Sequence, residues 1–190
     1  MKLRDLILKN RSCRRFKENE PISEETLGDL VDLARLSPSS ANLQPLKYIL
    51  SCEKEKNVTI FRNLEWAGYL KDWKGPSEGE RPAGYIIILG DTKIKKKIDC
   101  DHGIAAQSIT LGATELGYNC CIVAAINKEQ LRKELNIPNH LDIMLTIAIG
   151  KCAEEIELET VGSDGDIKYW RDKNDIHRVP KRKLDDIIIG

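Results

Sequence analysis

The chain has 190 residues, of which 41% are hydrophobic and 32% charged, a balance typical of one globular domain with a sizeable core. Thirty basic residues balance thirty acidic ones, so no overall field would attract nucleic acid or an anionic membrane. The N-terminal stretch does not have the pattern of a secretion signal, and the apolar runs are too short to cross a bilayer. We therefore expect a cytoplasmic protein without nucleic-acid or membrane partners.

The six cysteines are scattered and show neither a C-x-x-C pair nor a zinc-ligand spacing. This pattern predicts reduced core residues, with a redox role for Cys120 or Cys121 as the alternative. These two neighbours would point to opposite faces of a strand and are not expected to pair with each other. His102, His140 and His177 are widely spaced, which favours lone surface or capping residues over a metal site or a catalytic triad.

The first half of the chain alternates helical and extended patterns. Residues 2–9 predict a short helix, and apolar residues spaced by three and four predict an amphipathic helix that Ser23 caps and a serine-proline pair ends. The apolar stretch at 48–50 predicts a buried strand. Residues 54–73 predict a further helix, and the glycine-rich and proline-rich stretch at 75–84 predicts a polar turn region.

The second half begins with the β-branched run at 85–89, which predicts a central strand. A long helix over 102–116 follows; it is rich in small residues, which allow close packing, and Gly117 is placed to end it. The remaining predicted elements are a strand at 119–123, a helix at 128–135 and a strand at 141–149. Four strands mixed with about five helices predict an α+β sandwich, formed as one domain over residues 1–190.

Beyond residue 152 the chain is polar and is predicted to be loop-like. It nevertheless ends in the apolar Ile187–Ile189. A hydrophobic end on a long polar arm requires a surface that buries it, and a neighbouring subunit is one solution.

Three segments carry polar groups that could form a binding site, although each also has an ordinary structural explanation. Residues 10–16 bring together three arginines and a hydroxyl, which could bind a phosphate. Taken by itself, the cluster could equally be a solvated basic turn. Residues 36–45 offer hydroxyls and amides that could meet a flat polar heterocycle or simply form a loop. Residues 106–123 place a strand after a helix of small residues. A backbone N–H at this junction could donate to a ring nitrogen of a ligand, or the helix and strand could simply pack together without a ligand.

Taken together, these segments resemble the nitroreductase family. The motif R-S-x-R after the first helix resembles the phosphate-contacting motif of that family, and S-P-S-S-x-N-x-Q-P resembles its most recognisable signature. The segment D-x-G-I-A-A-Q-S-x-x-L-x-A-x-x-L-G-Y resembles its central helix, and V-P-K-R resembles its basic C-terminal arm. The resemblance runs from Leu6 to Lys183. It implies a three-layer sandwich with a central mixed sheet flanked by helices, in a domain-exchanged homodimer whose arm at about 152–190 reaches the partner subunit.

The resemblance also implies FMN as a cofactor bound at the dimer interface. Its phosphate would be held by Arg11, Ser12, Arg14, Lys181 and Arg182. The loop of the other subunit would approach the flavin with Pro38, Ser39, Ser40, Asn42 and Gln44. The backbone of Ile122, Val123 and Ala124 would contact the isoalloxazine ring near N5. Asn10 stands where many members of the family carry a basic residue.

The activity implied is the reduction of nitroaromatic, quinone or similar small acceptors by NAD(P)H in a ping-pong mechanism. The flavin would carry the hydride, so no catalytic acid or base is expected from the protein. The region at 62–84 would form a lid, in which Trp66, Tyr69 and Trp73 lie on one helical face. These aromatic rings would either stack on substrate or belong to the core.

Other functions remain open at this point. A member of the family could carry out different flavin chemistry, such as reductive dehalogenation or flavin destruction. A more distant class is a non-catalytic or regulatory flavin-binding protein, and a third is a structural dimer without a cofactor. The sequence contains no G-x-G-x-x-G motif after a strand, so a dedicated Rossmann site for the nicotinamide is not expected.

Overall fold

The computed structural model describes residues 2–190 and contains five α-helices and seven strands. The helices are α1 (Leu3–Lys9), α2 (Glu24–Arg35), α3 (Lys54–Phe61), α4 (Asp101–Glu115) and α5 (Lys128–Glu134). The strands are β1 (Leu46–Ser51), β2 (Gly84–Asp91), β3 (Asn119–Val123), β4 (Leu141–Gly150), β5 (Ile156–Thr160), β6 (Trp170–Arg171) and β7 (His177–Lys181). Short 3-10 turns lie at Ser40–Asn42 and Leu184–Asp186.

The central sheet has the strand order β1-β2-β4-β3, and all three of its pairings are antiparallel. A second sheet has the order β5-β7-β6, with one parallel and one antiparallel pairing. The expectation of a mixed central sheet is therefore corrected for the four strands themselves: β2 and β3 run in the same direction but lie on either side of β4, which runs opposite to both. The parallel contact at this sheet is a single bridge between Ser12 and Cys120.

Two apolar clusters cover the two faces of the central sheet, which gives the expected three layers. Alternate residues of β2 separate them: Ile86 and Ile88 pack with α2 and α4, whereas Ile87 and Leu89 pack with α3 and α5. The small residues of α4 have the predicted effect, since a Cβ atom at Gly112 would lie 2.2 Å from Cδ1 of Leu33 in α2. The α+β sandwich predicted from the sequence is confirmed.

The helix expected over 54–73 is wrong beyond Phe61, where α3 ends. The side-chain amide of Asn63 donates to the Thr59 carbonyl at 2.8 Å, and the Glu65 N–H donates to the Ala125 carbonyl at 3.0 Å. The chain thus leaves the helix to pair with the stretch after β3 through a bridge between Leu64 and Ile126, and residues 62–74 contain turns and irregular stretches but no helix. Trp66, Tyr69 and Trp73 consequently share no helical face.

The C-terminal arm is more ordered than its polar sequence predicted, because it contains β5, β6 and β7. It packs against the first motif of its own chain, as shown by the Ala153 N–H, which donates to the Arg15 carbonyl at 2.8 Å. The apolar end is open in the single chain: the exposed fraction of Ile189 is 99%.

The expectation that the cysteines are all reduced is corrected at one pair, since the structure joins Cys13 and Cys152 in a disulfide. An antiparallel bridge between Phe16 and Cys152 brings the two segments together and places the Cys13 and Cys152 Cα atoms 6.0 Å apart. Cys120 and Cys121 pack on opposite faces of the sheet, as predicted. Burial raises the pKa of the Cys121 thiol to about 11, which opposes thiolate chemistry at that position.

Within residues 2–190, none of the helices has the length and apolar character needed to span a membrane.

Candidate functional site

The first motif is fixed as an extended segment between two other parts of the fold. The Cys13 N–H donates to the Cys120 carbonyl at 3.0 Å, and the Lys17 N–H donates to the Lys151 carbonyl at 2.8 Å. Cys13 and Phe16 are fully buried and anchor the segment in the core. Ser12 lies on the exposed side, so its hydroxyl is available to a ligand.

The two motif arginines have no carboxylate partner within residues 2–190. Nη2 of Arg11 donates to the Ile7 carbonyl at 2.7 Å, and its Nε is buried without a partner. Nη1 of Arg14 contacts the Ser12 carbonyl at 3.3 Å and Nε2 of His177 at 2.9 Å. The pKa of Arg11 is lowered because burial disfavours its charged form.

Other arginines of the same region are paired, which makes the unpaired ones distinctive. Arg15 forms ion pairs with Asp175 and Glu80, and Arg178 pairs with three carboxylates. Glu154 is already occupied: one oxygen accepts from the Arg14 and Arg15 backbone N–H groups, and the other accepts from Arg171 at 2.8 Å. Because an uncompensated buried cation is costly, Arg11 and Arg14 are each candidates to bind an anion.

The second motif forms a strained loop that is attached to the start of α4. The Ser39 hydroxyl donates to Oδ2 of Asp101 at 2.6 Å, and the Ser40 N–H contacts Oδ1 at 3.2 Å. Three loop residues without glycine's freedom have positive φ angles: 50° at Ala41, 55° at Asn42 and 51° at Gln44. Such backbone costs free energy, about 1–3 kcal/mol per residue, and it persists only where the surroundings impose it.

Asp101 is the acidic residue that imposes this loop shape. Burial would raise the pKa of its carboxyl, but hydrogen bonds from Ser39 and Ser40 and the charge of Lys95 hold that pKa below its usual value. A cavity of about 170 Å³ opens beside the loop and is lined by Pro38, Ser39, Gln44, Tyr48 and Asp101, among others. Pro38, Ser40, Asn42 and Gln44 are exposed, so they face outward from the single chain.

The third segment is the outer end of β3 and the residue that follows it. Ile122 is 41% exposed and Val123 is buried, whereas Ala124 is exposed beyond the end of the strand. The first segment joins this strand at Cys120, and its Asn10 side chain donates to Thr110 of α4 at 2.9 Å. The first and third segments therefore lie together in one chain.

The second segment contacts a different side of α4 from the first motif. The Ser39 hydroxyl donates to Asp101, and the Ser37 hydroxyl lies 2.7 Å from that of Ser108, whereas Asn10 donates to Thr110. Ser108 and Thr110 are two positions apart, so their side chains point to nearly opposite sides of the helix. Lys181 and Arg182 are also exposed and distant from Arg14, since β7 runs from His177 beside Arg14 to Lys181, about 13 Å along the strand.

The three aromatic residues expected in the lid have different environments. Trp66 is buried in the core, with its ring 5.8 Å from that of Phe61. Trp73 lies under the guanidinium group of Arg171 at 4.7 Å. Tyr69 is 47% exposed and packs 5.0 Å from Tyr169 of the C-terminal arm. The exposed ring of Tyr69 is thus the one with surface left for a further partner.

The sequence interpretation did not identify His177, Tyr169 or Asp101 as site residues. His177 was expected at the surface or at a cap, but it is fully buried against Arg14. Burial first, and then the charge of Arg14, lower the pKa of His177 to about 4. Asp101 carried a usable signal, because it is the acidic residue in the first turn of α4 and opens the matched segment. There was no comparable indication in the sequence for His177 and Tyr169, because both contact Arg14, which is far away in sequence.

Comparison with known proteins identifies the family of the chain. The model of the nitroreductase family matches residues 7–151, which include all three motif segments. The chain therefore belongs to the nitroreductase family. The two relatives named below are NADPH nitroreductases, and this chain is an NAD(P)H nitroreductase-like oxidoreductase.

Two relatives and two solved structures illustrate the similarity. The oxygen-insensitive NADPH nitroreductase of Helicobacter pylori (strain J99) is 35% identical, over 89% of this chain and 96% of that protein. The same-named enzyme of Helicobacter acinonychis is also 35% identical, over 81% of this chain and 89% of the relative. An FMN-dependent nitroreductase from Clostridium difficile R20291 superposes with a TM-score of 0.64 at 25% identity, over 79% and 87% of the two chains. A family protein from Streptococcus pneumoniae TIGR4 shares the fold over all of both chains, with a TM-score of 0.74 at 16% identity.

Proposed function

We propose that this protein is an FMN-dependent reductase, active as a homodimer, that uses NAD(P)H to reduce nitroaromatic, quinone or similar small acceptors. The observation that carries the proposal is the guanidinium group of Arg14. It has no carboxylate partner, and its Nε and Nη2 atoms make no hydrogen bond with any of residues 2–190. Such a free edge has the geometry for two oxygens of a phosphate.

The phosphate end of the proposed site consists of groups on the first motif and the arm. Arg11 and Arg14 supply charge, and the exposed Ser12 hydroxyl supplies a further hydrogen bond. Asn10 is engaged with Thr110 and adds no charge. Lys181 and Arg182 would complete the site, and they form no ion pair within the described part of the chain. Because both lie well away from Arg14 in the same chain, we assign their contribution to the dimer.

The ring end of the proposed site combines two subunits. The backbone of Ile122, Val123 and Ala124 would face the flavin from one subunit. The loop that contains Pro38, Ser39, Ser40, Asn42 and Gln44 would approach from the other subunit, and in one chain it contacts a different side of α4 from the first motif. Its strained backbone and outward-facing polar groups are already fixed by Asp101.

When bound, FMN would accept a hydride from NAD(P)H and pass two electrons to the acceptor, so the cofactor supplies the redox chemistry. The protein would bind the phosphate, orient the ring and restrict access to it. Tyr69 lies in the segment proposed as a lid and keeps an exposed ring for a substrate, whereas Trp73 packs against Arg171. No side chain is proposed as a general acid or base. The reductant and the acceptor would occupy the same space in turn, which corresponds to a ping-pong order.

The dimer is supported by the apolar surface that one chain leaves open. Ile187 and Ile188 are 59% and 61% exposed, and Leu3 of α1 is 66% exposed. Ile187, Ile188 and Ile189 are consecutive and all exposed, and a contiguous apolar surface of this kind is typical of one that another protein covers. A partner subunit would bury them and would bring its loop to the first motif.

The visible absorption spectrum of the purified protein tests the cofactor assignment. We expect flavin bands for the wild type and for Arg4→Ala, an exposed arginine of α1 that serves as the control. Arg14→Ala should lose most of its flavin during purification. A colourless wild-type protein that FMN does not reconstitute would contradict the proposal. Equal flavin content in all three proteins would show that Arg14 does not contribute to flavin binding.

A further inference from the structure

His177 opens β7 and meets the guanidinium group of Arg14 inside the protein. Its side chain is fully buried, and its Nε2 lies 2.9 Å from Nη1 of Arg14. An arginine N–H can only donate, so Nε2 accepts this hydrogen bond and the ring proton is assigned to Nδ1. The neutral imidazole therefore accepts a hydrogen bond from Nη1 and fixes the position of that nitrogen.

Tyr169 fixes the plane of the same guanidinium group. Its ring centroid is 4.3 Å from Cζ of Arg14 and 5.3 Å from the ring centroid of His177. A cation against an aromatic face is attracted by the ring quadrupole. With Nη1 held by His177 and the Ser12 carbonyl, the edge formed by Nε and Nη2 is left without a partner among residues 2–190.

We propose that His177 is a positioning residue for the phosphate site: together with Tyr169, it holds Arg14 so that the Nε–Nη2 edge faces the flavin phosphate. This inference rests on the proposed FMN-binding function and adds two residues of the C-terminal arm to it. A free arginine side chain loses considerable rotational entropy when it binds, and a guanidinium that is already oriented loses less of it on binding.

The protonation state of His177 agrees with this role. Burial and the neighbouring Arg14 lower the pKa of His177 to about 4, although Glu154 opposes part of that shift. The ring is therefore neutral near pH 7 and remains an acceptor. A protonated ring would present a donor to Arg14 and would repel it.

A comparison of FMN with riboflavin separates positioning from simple core packing. Riboflavin has the same ring system without the phosphate, so a phosphate-specific role affects the FMN affinity alone. A residue that only fills space would weaken both ligands, or neither. The flavin-free full-length protein can be titrated with each ligand, with ring fluorescence as the readout.

His177→Leu removes the acceptor, and His177→Gln retains one in its side-chain oxygen. We expect the dissociation constant for FMN to rise by about 10–30-fold in His177→Leu, as for the loss of a hydrogen bond to a charged group. In the same variant, riboflavin affinity should stay within about twofold, and His177→Gln should bind FMN within about threefold of the wild type. Equal losses for FMN and riboflavin, or no change for FMN, would overturn the inference.

Tyr169 supplies a second test that holds even if His177→Leu does not fold. Tyr169→Leu should weaken FMN by about 3–5-fold, while Tyr169→Phe, which retains the ring, should not. Identical FMN affinities in these two variants would contradict the role of the ring. A wild-type protein that binds riboflavin as tightly as FMN would overturn the positioning role but leave a flavin site. A wild-type protein that binds neither ligand would overturn the proposed function itself.

Discussion

The Ser39 hydroxyl donates to the Asp101 carboxylate at 2.6 Å across 62 positions of sequence, and this contact holds a strained loop against the start of α4. The same hydroxyl accepts the Gln44 N–H at 3.0 Å, so one side chain connects both ends of the loop. The loop shape therefore depends on a buried carboxylate, and its removal should release the positive φ angles at Ala41 and Asn42.

Asp101→Ala should lower the free energy of unfolding by about 2–3 kcal/mol, because the loop loses hydrogen bonds to a buried charge. It should also reduce flavin retention, since the loop would no longer be preformed. Asp99→Ala removes an exposed acidic side chain two residues earlier and provides the control. Urea denaturation and the flavin content of each variant are the measurements. A variant as stable as the control would show that Asp101 does not hold the loop.

His177 should make stability depend on pH in a defined window. Its pKa is lowered to about 4 in the folded protein, mainly by burial and then by Arg14, whereas an unfolded histidine titrates near its ordinary value of about 6.5. Between these values the unfolded state binds more protons, so stability falls as the pH decreases, by up to about 1.4 kcal/mol per pH unit.

The measurement for this prediction is urea denaturation at several pH values between about 4.5 and 7. His177→Gln should flatten the dependence, because glutamine does not titrate. His140→Gln changes another histidine and should retain the wild-type slope. Parallel curves for the wild type and His177→Gln would contradict the assigned burial of a neutral ring.

The Cys13–Cys152 disulfide should stabilise the fold by restricting the unfolded chain. The two residues are 139 positions apart, and a loop of that order contributes about 4–5 kcal/mol in the chain-entropy model. Thiol titration of the non-reduced native and denatured protein should find four free cysteines, namely Cys52, Cys100, Cys120 and Cys121. Cys152→Ser should be less stable than the wild type, whereas Cys100→Ser, at an exposed free cysteine, should not. Six free thiols in the denatured protein would contradict the bond.

The exposed apolar end should mediate association of the chain. Ile187→Glu combined with Ile189→Glu should shift the protein from dimer to monomer in sedimentation velocity and should lower its flavin content. Val58→Glu, at another exposed apolar position in α3, is the matched control and should leave both unchanged. A wild-type protein that sediments as a monomer at micromolar concentration would contradict the proposed dimer.

The sequence predicted the elements in which local pattern and burial agree. The apolar run of β2, the amphipathic face of α2 and the small residues of α4 all reflect packing against near neighbours, and their bounds differ from the prediction by one or two residues. Gly117 has a φ of 75°, as a residue that ends a helix often does. Short-range chemistry was sufficient for these elements.

The features that the sequence did not predict depend on contacts between distant segments. The chain after Phe61 leaves the helical path because the Ala125 carbonyl accepts from the Glu65 N–H and the Asn127 N–H donates to the Asn63 carbonyl. β5 pairs in parallel with β7, which no local pattern indicates. His177 is buried by an arginine 163 positions away, so its own surroundings in sequence appear polar and exposed. The motifs indicated which segments form the candidate site, but not which residues hold them.

The most direct test of the proposed activity is an anaerobic titration of the flavin-bound protein with NADH or NADPH, monitored by visible absorption. The proposal predicts that a stoichiometric amount of at least one nucleotide bleaches the flavin bands. A small quinone or nitroaromatic added afterwards should then restore them. A bound flavin that neither nucleotide bleaches would contradict the reductase and leave a flavin-binding protein.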